Sequence, residues 1–253
     1  MRWIQWTCCA GVFAAVVMAG VHPASAEVIL TDNFNDNNLN ANPDWSLAGE
    51  AGSPGYLTGS PTNSGGVLAG GLANMALSVT DPNATGAVTI NFRMRLNSDN
   101  QGKKEFAVYL GQIDGVGIGF EGAIQTNASV QFFEGQIIQS TDGGVTDTDL
   151  SGNKRELRDV GTDYVDFQFI WNRVTGEIEM TADPGDGVVN LGSYINTNTA
   201  YNSFNNAVLY WNSGVIEVDN VSVDVTPTPE PGSLAVSLLG MAMLLTRNRR
   251  AAE

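Results

Sequence analysis

Apolar residues fall on every second position at Val88, Ile90, Phe92, Met94 and Leu96, with Thr89, Asn91, Arg93 and Arg95 between them. A period of two is the mark of a strand buried on one face. The same alternation recurs at Phe106-Val108-Leu110, Val116-Ile118-Phe120, Val130-Phe132, Val165-Phe167-Phe169-Trp171, Ile178-Met180-Ala182 and Ala207-Leu209-Trp211. Turn-forming residues separate the runs, as at Asp99-Asn100-Gln101-Gly102, Asp114-Gly115, Arg173-Val174-Thr175-Gly176 and Asp183-Pro184-Gly185-Asp186-Gly187. Only Thr199 to Phe204 could close one helical turn. About a dozen short strands predict an all-β domain, a two-sheet antiparallel β-sandwich. Disorder is the competing reading of so much Gly and Asn, and the regular alternation argues against it.

The last strand carries a break in phase. Ile216 and Val218 occupy one alternation phase and Val221, Val223 and Val225 the other. A strand buried on one face changes phase only by inserting a residue, so a β-bulge is expected at Asp219-Asn220.

The ends of the chain read differently from its middle. Arg2, an apolar run from Cys8 to Val21, and the small-x-small site Ala24-Ser25-Ala26 form a signal peptide over residues 1–26. Its processing implies the Sec machinery and a signal peptidase. Residues 27–226 form the domain. Residues 227–253 hold a proline-stiffened linker, an apolar stretch from Leu234 to Leu245 and the basic cluster Arg247, Arg249, Arg250, arranged as a stop-transfer segment.

Chemistry is limited by what the domain lacks. Both cysteines, Cys8 and Cys9, and the single histidine, His22, precede Glu27. A domain without imidazole or thiol cannot form a Ser-His-Asp triad, a Cys nucleophile, a disulfide framework or a His/Cys zinc site. Carboxylate chemistry remains. The whole chain carries a net charge of -15. Losing Arg2, Arg247, Arg249 and Arg250 would make the domain more acidic still. Such a surface repels nucleic acid and anionic membranes and attracts cations.

Pro229-Glu230-Pro231, the apolar segment and the Arg cluster together resemble the PEP-CTERM sorting signal of Gram-negative bacteria. That resemblance covers residues 229–250 and implies an exosortase as partner, a transient inner-membrane anchor, cleavage near Pro229-Glu230-Pro231, and release to the outer surface or a polysaccharide matrix. A plain C-terminal anchor is the alternative. The domain's order of features resembles the concanavalin A-like (LamG-like) jelly roll, through Val28 to Asp36 followed by Trp45, the pair Val165–Asn172 and Glu177–Met180, and the closing run Ile216–Val223. This family includes lectins, glycan-binding modules and glycoside hydrolases. The expectation is a non-enzymatic surface or matrix protein, with a dedicated carbohydrate-binding module or a carboxylate glycosidase as alternatives.

Several residues are candidates for a site. Glu217-Val218-Asp219 resembles the start of the acidic strand of laminarinase-type hydrolases, but Ser222 stands where that strand has its second Glu, so no catalytic residue is assigned. Asp147, Asp149 and Ser151 fit the opening of an EF-hand-type loop, with Arg158 in place of the closing Glu; the alternative is a solvated acidic loop. Trp45, Tyr210 and Trp211 could stack on a sugar ring or serve the core. In LamG-like sandwiches the first and last strands are neighbours. The resemblance therefore brings Asp32 or Asp36 near Asp219, where they are expected to hold a structural Ca²⁺; local turn hydrogen bonds are the alternative.

Overall fold

The computed structural model describes residues 25–35, 43, 46–47, 61–64, 67–70, 73–96, 102–112, 116–126, 131–140, 147–149, 154–211 and 216–227. The chain divides into two compact units, Ala26–Thr226 and a second made of Met1–Ser25 and Pro227–Glu253. The strands of the first unit are β1 (Glu27–Asp32), β2 (Ser46–Leu47), β3 (Pro61–Ser64), β4 (Val67–Gly70), β5 (Ala73–Ser78), β6 (Ala87–Leu96), β7 (Gly102–Gly111), β8 (Gly117–Thr126), β9 (Gln131–Ser140), β10 (Asp147–Asp149), β11 (Lys154–Leu157), β12 (Val165–Asn172), β13 (Glu177–Asp183), β14 (Val189–Ile195), β15 (Asn206–Trp211) and β16 (Ile216–Thr226). The single helical turn predicted near Thr199 is a 3₁₀ turn, Thr199–Tyr201, capped by the Asn198 side chain.

The strands form two eight-stranded sheets. The first runs β14-β13-β12-β6-β16-β4-β3, with β1 also pairing β16; the second runs β10-β9-β8-β7-β15-β5-β2, with β11 also pairing β9. All pairings are antiparallel, and the chain passes from one sheet to the other at β1–β2, β2–β3, β4–β5, β5–β6, β6–β7, β11–β12, β14–β15 and β15–β16. This is a jelly-roll-like sandwich. Its core takes the inward phase of each strand, Val88, Ile90, Phe92, Met94 and Leu96 from β6 against Phe106, Val108 and Leu110 from β7. Phe92 sits at the centre, with ring centroids of Phe106, Phe120 and Phe167 at 4.9, 5.5 and 5.4 Å. Trp171, the largest fully buried side chain among the described residues, shares the inward phase with Phe167 and Phe169, as the alternation predicts.

Two local features follow from sequence chemistry. The β12–β13 turn closes on Gly176, whose N–H donates to the Asn172 carbonyl at 2.7 Å and whose φ of +77° suits glycine. An added Cβ there would stand 2.0 Å from the Asn196 carbonyl oxygen, so no other residue fits. The expected bulge is present in β16. Asp219 pairs with Arg93 and Ser222 with Asn91, an advance of three residues against two, and Asn220 takes φ +53°. Asn enters that left-handed region more readily than most non-glycine residues. The predicted adjacency of first and last strands also holds, with Asp32 opposite Val221.

Candidate functional site

The outer face of the first sheet carries two polar rows set by the ladder register. In one row Ser222, Asn91, Gln168 and Thr181 stand directly opposite one another on β16, β6, β12 and β13. In the next row stand Asp219, Arg93, Asp166 and Asp183 on the same four strands. Between the rows lies a groove of about 330 Å³, bordered also by Asn220 and the exposed Val188. That volume is at the small end of ligand sites. Its floor is formed at Phe92, Phe167 and Ala182, whose side chains belong to the core.

Hydrogen bonds fix some of these groups and leave others open. Asn91 Nδ2 donates to Ser222 Oγ at 3.2 Å, and Gln168 Nε2 donates to Asn91 Oδ1 at 2.9 Å. Two amides are thereby held in one orientation. Among the described residues, the Gln168 carbonyl oxygen, the Thr181 hydroxyl and the Asp166 carboxylate have no hydrogen-bond partner. Arg93 does not serve Asp166 directly. Its guanidinium donates from Nε at 3.1 Å and from Nη2 at 2.5 Å to Asp219 Oδ2, and it lies 4.5 Å from the Tyr164 ring centroid, as does Arg95.

Asp166 is electrostatically disfavoured. Its carboxyl is pushed above the ordinary range, first by loss of water and then by the charges of Asp183 and Asp219, against the opposing pull of Arg93. Directly opposed like charges across a ladder destabilise a sheet. With the folded value raised, the protonated form is favoured in the native state, so the associated stability is present at low pH and lost as pH rises through the folded value. Asp166→Asn is therefore expected to raise the melting temperature at neutral pH. The gain should vanish below about pH 3.9, the ordinary value for an aspartate. A variant that melts below the wild type by the same margin at both pH values would refute this account.

The residues singled out from sequence fall differently. Asp32 and Asp219 do lie on neighbouring strands, but on opposite faces. Asp32 pairs with the core residue Val221, whereas Asp219 pairs with the outward Arg93. Asp32 Oδ1 accepts from the Phe34 N–H at 2.7 Å, and Asp219 Oδ1 accepts from the Asn220 N–H at 2.7 Å. Asp32 and Asp219 are thus not brought together as a calcium pair. The cation beside Asp219 is the Arg93 guanidinium, and the turn hydrogen bonds are the reading that fits. Asp36 lies outside the described residues. The EF-hand-type reading of Asp147 and Asp149 also needs correction. They belong to strand β10, paired with Ser140 and Ile138, and an extended edge strand does not wrap its alternate residues around an ion. Ser151 lies outside the described residues.

Tyr210 is half-buried on the outer face of the second sheet, opposite Ala107. Trp211 pairs with Phe106 in the same ladder; its side chain and Trp45 lie outside the described residues. Glu217, in the run that resembles the acidic strand of laminarinase-type hydrolases, accepts from Arg95 Nε at 2.7 Å. Ala26 is exposed just before β1. Ala24 and the sorting-signal residues Pro229, Glu230, Pro231, Arg247, Arg249 and Arg250 lie outside the described residues. Among the described residues, no helix is long and apolar enough to cross a membrane.

A second charged cluster was not visible in the sequence. On the outer face of the second sheet, Lys103 Nζ stands 2.6 Å from Glu105, 2.9 Å from Glu134 and 3.6 Å from Glu121, and Glu134 also accepts from Arg155 Nε at 3.1 Å. Burial alone pulls the Lys103 ammonium downward most strongly. Hydrogen bonds to Glu105 and Glu134 and the charge of Glu121 overcome it and hold the group above the usual lysine range. Each glutamate is committed to a cation, so this network joins β7, β8, β9 and β11 and leaves no carboxylate of the cluster free for acid–base work. Its only advance signal is a glutamate in the outward phase of three successive strands.

No protein-family model matches the chain, and no curated protein is similar to it in sequence. Solved structures do resemble the fold. The CBM2 module of the evolved Dit of Lactobacillus casei BL23 phage J-1 aligns with a TM-score of 0.57 at 10% identity, over 83% of this chain and 100% of that one. The T. cruzi calreticulin globular domain aligns with a TM-score of 0.52 at 9% identity, over 89% and 100%. The winged bean acidic lectin, solved with methyl-alpha-D-galactose, aligns with a TM-score of 0.48 at 9% identity, over 81% and 100%. Identity this low speaks for the sandwich architecture alone.

Proposed function

We propose that the chain is an exported β-sandwich that binds glycan in the groove on the outer face of its first sheet, and that the sorting signal at residues 229–250 delivers it to the cell surface or polysaccharide matrix. The observation that carries the binding reading is the row Ser222-Asn91-Gln168-Thr181. Two amides pre-set by hydrogen bonds present open acceptor and hydroxyl groups above a floor that cannot move without disturbing the core. Sugars are recognised by such fixed arrays of neutral donors and acceptors, because each hydroxyl both donates and accepts. The likeness to a CBM2 module supports the reading at the level of fold. We read the activity as binding; the Glu217 carboxylate, in the run that resembles a hydrolase strand, is paired with Arg95.

The test is a glycan array probed with the purified full chain, followed by titration of the strongest glycan. Saturable binding is expected. Gln168→Leu should weaken it about tenfold or more, corresponding to about 1.4 kcal/mol or more, with little change in melting temperature because Gln168 sits on the outer face. A full chain that binds no glycan, or a Gln168→Leu variant that binds as well as the wild type, would remove the groove from consideration.

A further inference from the structure

A second cavity is bordered by the loop that adjoins the groove. Tyr164, two residues before Asp166, borders a neighbouring cavity of about 500 Å³, together with Asp163, Arg158 and the Pro184–Asp186 loop. Asp183 and Val188, at either end of that loop, border the first cavity, so the loop stands between the two. Together they offer room for more than one sugar ring.

The charges along this path are uneven. Arg93 is engaged by Asp219, and Arg158 by Asp186, with Glu156 at 4.0 Å. Both cations are therefore already neutralised by carboxylates. Asp183 uses one oxygen to accept from the N–H groups of Gly185 and Gly187 and forms no ion pair among the described residues. Asp166 in the first cavity and Asp163 in the second form no ion pair among the described residues. A neutral glycan would leave these carboxylates without a counter-charge, and a uronic acid polymer would be repelled. A cation carried on the ligand satisfies them.

Resting on the groove reading above, we infer that the two cavities form one binding surface for an oligosaccharide of amino sugars with free ammonium groups. The neutral row of Asn91, Gln168 and Thr181 takes the hydroxyls, and Asp166 and Asp163 take ammonium groups on separate rings. Because these carboxylates are exposed to solvent, the preference is electrostatic and weakens with salt.

The decisive experiment titrates the full chain with a β-1,4-linked glucosamine tetrasaccharide, its fully N-acetylated counterpart and a galacturonic acid tetrasaccharide, at about pH 6 to keep the amines protonated. The glucosamine chain should bind about tenfold more tightly than the acetylated one, a difference of about 1.4 kcal/mol, and the uronic acid chain should not bind measurably. Asp166→Asn and Asp163→Asn should each bring the two affinities closer together, as should added salt, by weakening the glucosamine chain far more than the acetylated one. Equal binding of both, or preference for the acetylated chain, overturns the amino-sugar assignment. If Gln168→Leu still weakens that neutral binding about tenfold or more, the groove itself stands. Absence of binding to any of the three and to the array overturns both readings.

Discussion

Arg173→Met is expected to destabilise the domain by about 3–5 kcal/mol, the cost of removing one partner from a buried ion pair. The Arg173 side chain is fully buried, and its Nη1 lies 2.6 Å from Asp81 Oδ2, a carboxylate that is itself almost enclosed. The same guanidinium donates from Nε to the Gly86 carbonyl at 2.7 Å, from Nη1 to the Asn202 carbonyl at 2.8 Å, and from Nη2 to the Asn83 carbonyl. One side chain therefore satisfies carbonyls from the loop before β6 and from the segment before β15, and does so from the β12–β13 turn. Methionine fills much of the volume but donates nothing. It leaves Asp81 charged without a partner and three carbonyls short of a donor. Chemical denaturation of the two proteins measures the loss. A change below about 1 kcal/mol, the scale of an ordinary substitution, would mean that water replaces the guanidinium at little cost.

This arginine illustrates what sequence could and could not show. The turn at Arg173-Val174-Thr175-Gly176 is legible because Gly176 marks a backbone position that only glycine fits. That Arg173 reaches back to Asp81, 92 positions earlier, is not legible, because nothing local distinguishes it from a solvated turn arginine. The sheets were readable wherever one face meets solvent, as in β6, whose alternation is complete from Ala87 to Leu96. In β8 the alternation stops at Phe120 because Gly122 takes an inward position, so the strand continues to Thr126 past the point where the apolar pattern ends.

The bulge at Asp219-Asn220 was readable from its phase break. Its consequence was not. Aspartates on neighbouring strands suggested a cation site, but the phase break is also what sends Asp219 to the outer face, away from Asp32 and onto Arg93. The groove shows the same limit. Asn91, Gln168 and Thr181 are ordinary outward polar residues in their own strands, and only the register of β6, β12 and β13 sets them in one row. Asp147 and Asp149 were misread for a complementary reason: a spacing of two suits alternate ligands in a loop and alternate residues on one face of a strand equally well.

The inward glycines of the second sheet lead to the other large effect. Gly122 and Gly135 stand opposite each other on β8 and β9, each pointing into the core. Glycine within a strand is unfavourable by about 0.5–1 kcal/mol relative to alanine, so the site must return more than it loses. An added Cβ at Gly122 would lie 2.9 Å from the Phe92 ring and 3.1 Å from the Phe167 ring. The missing side chain is the space those rings occupy. Phe92→Ala is expected to destabilise by about 3–5 kcal/mol, since it empties the centre of the aromatic cluster. Gly122→Ala is expected to destabilise by about 1–3 kcal/mol, through overpacking against the same ring. The two changes should not add. With the Phe92 ring gone, the methyl introduced by Gly122→Ala enters a cavity instead of a filled site, and the double variant should be more stable than the sum of the single losses predicts by about 0.5–3 kcal/mol. Denaturation curves for the wild type, both single variants and the double variant give this coupling directly. Strict additivity would mean that Phe167, not Phe92, is the ring that excludes a side chain at Gly122.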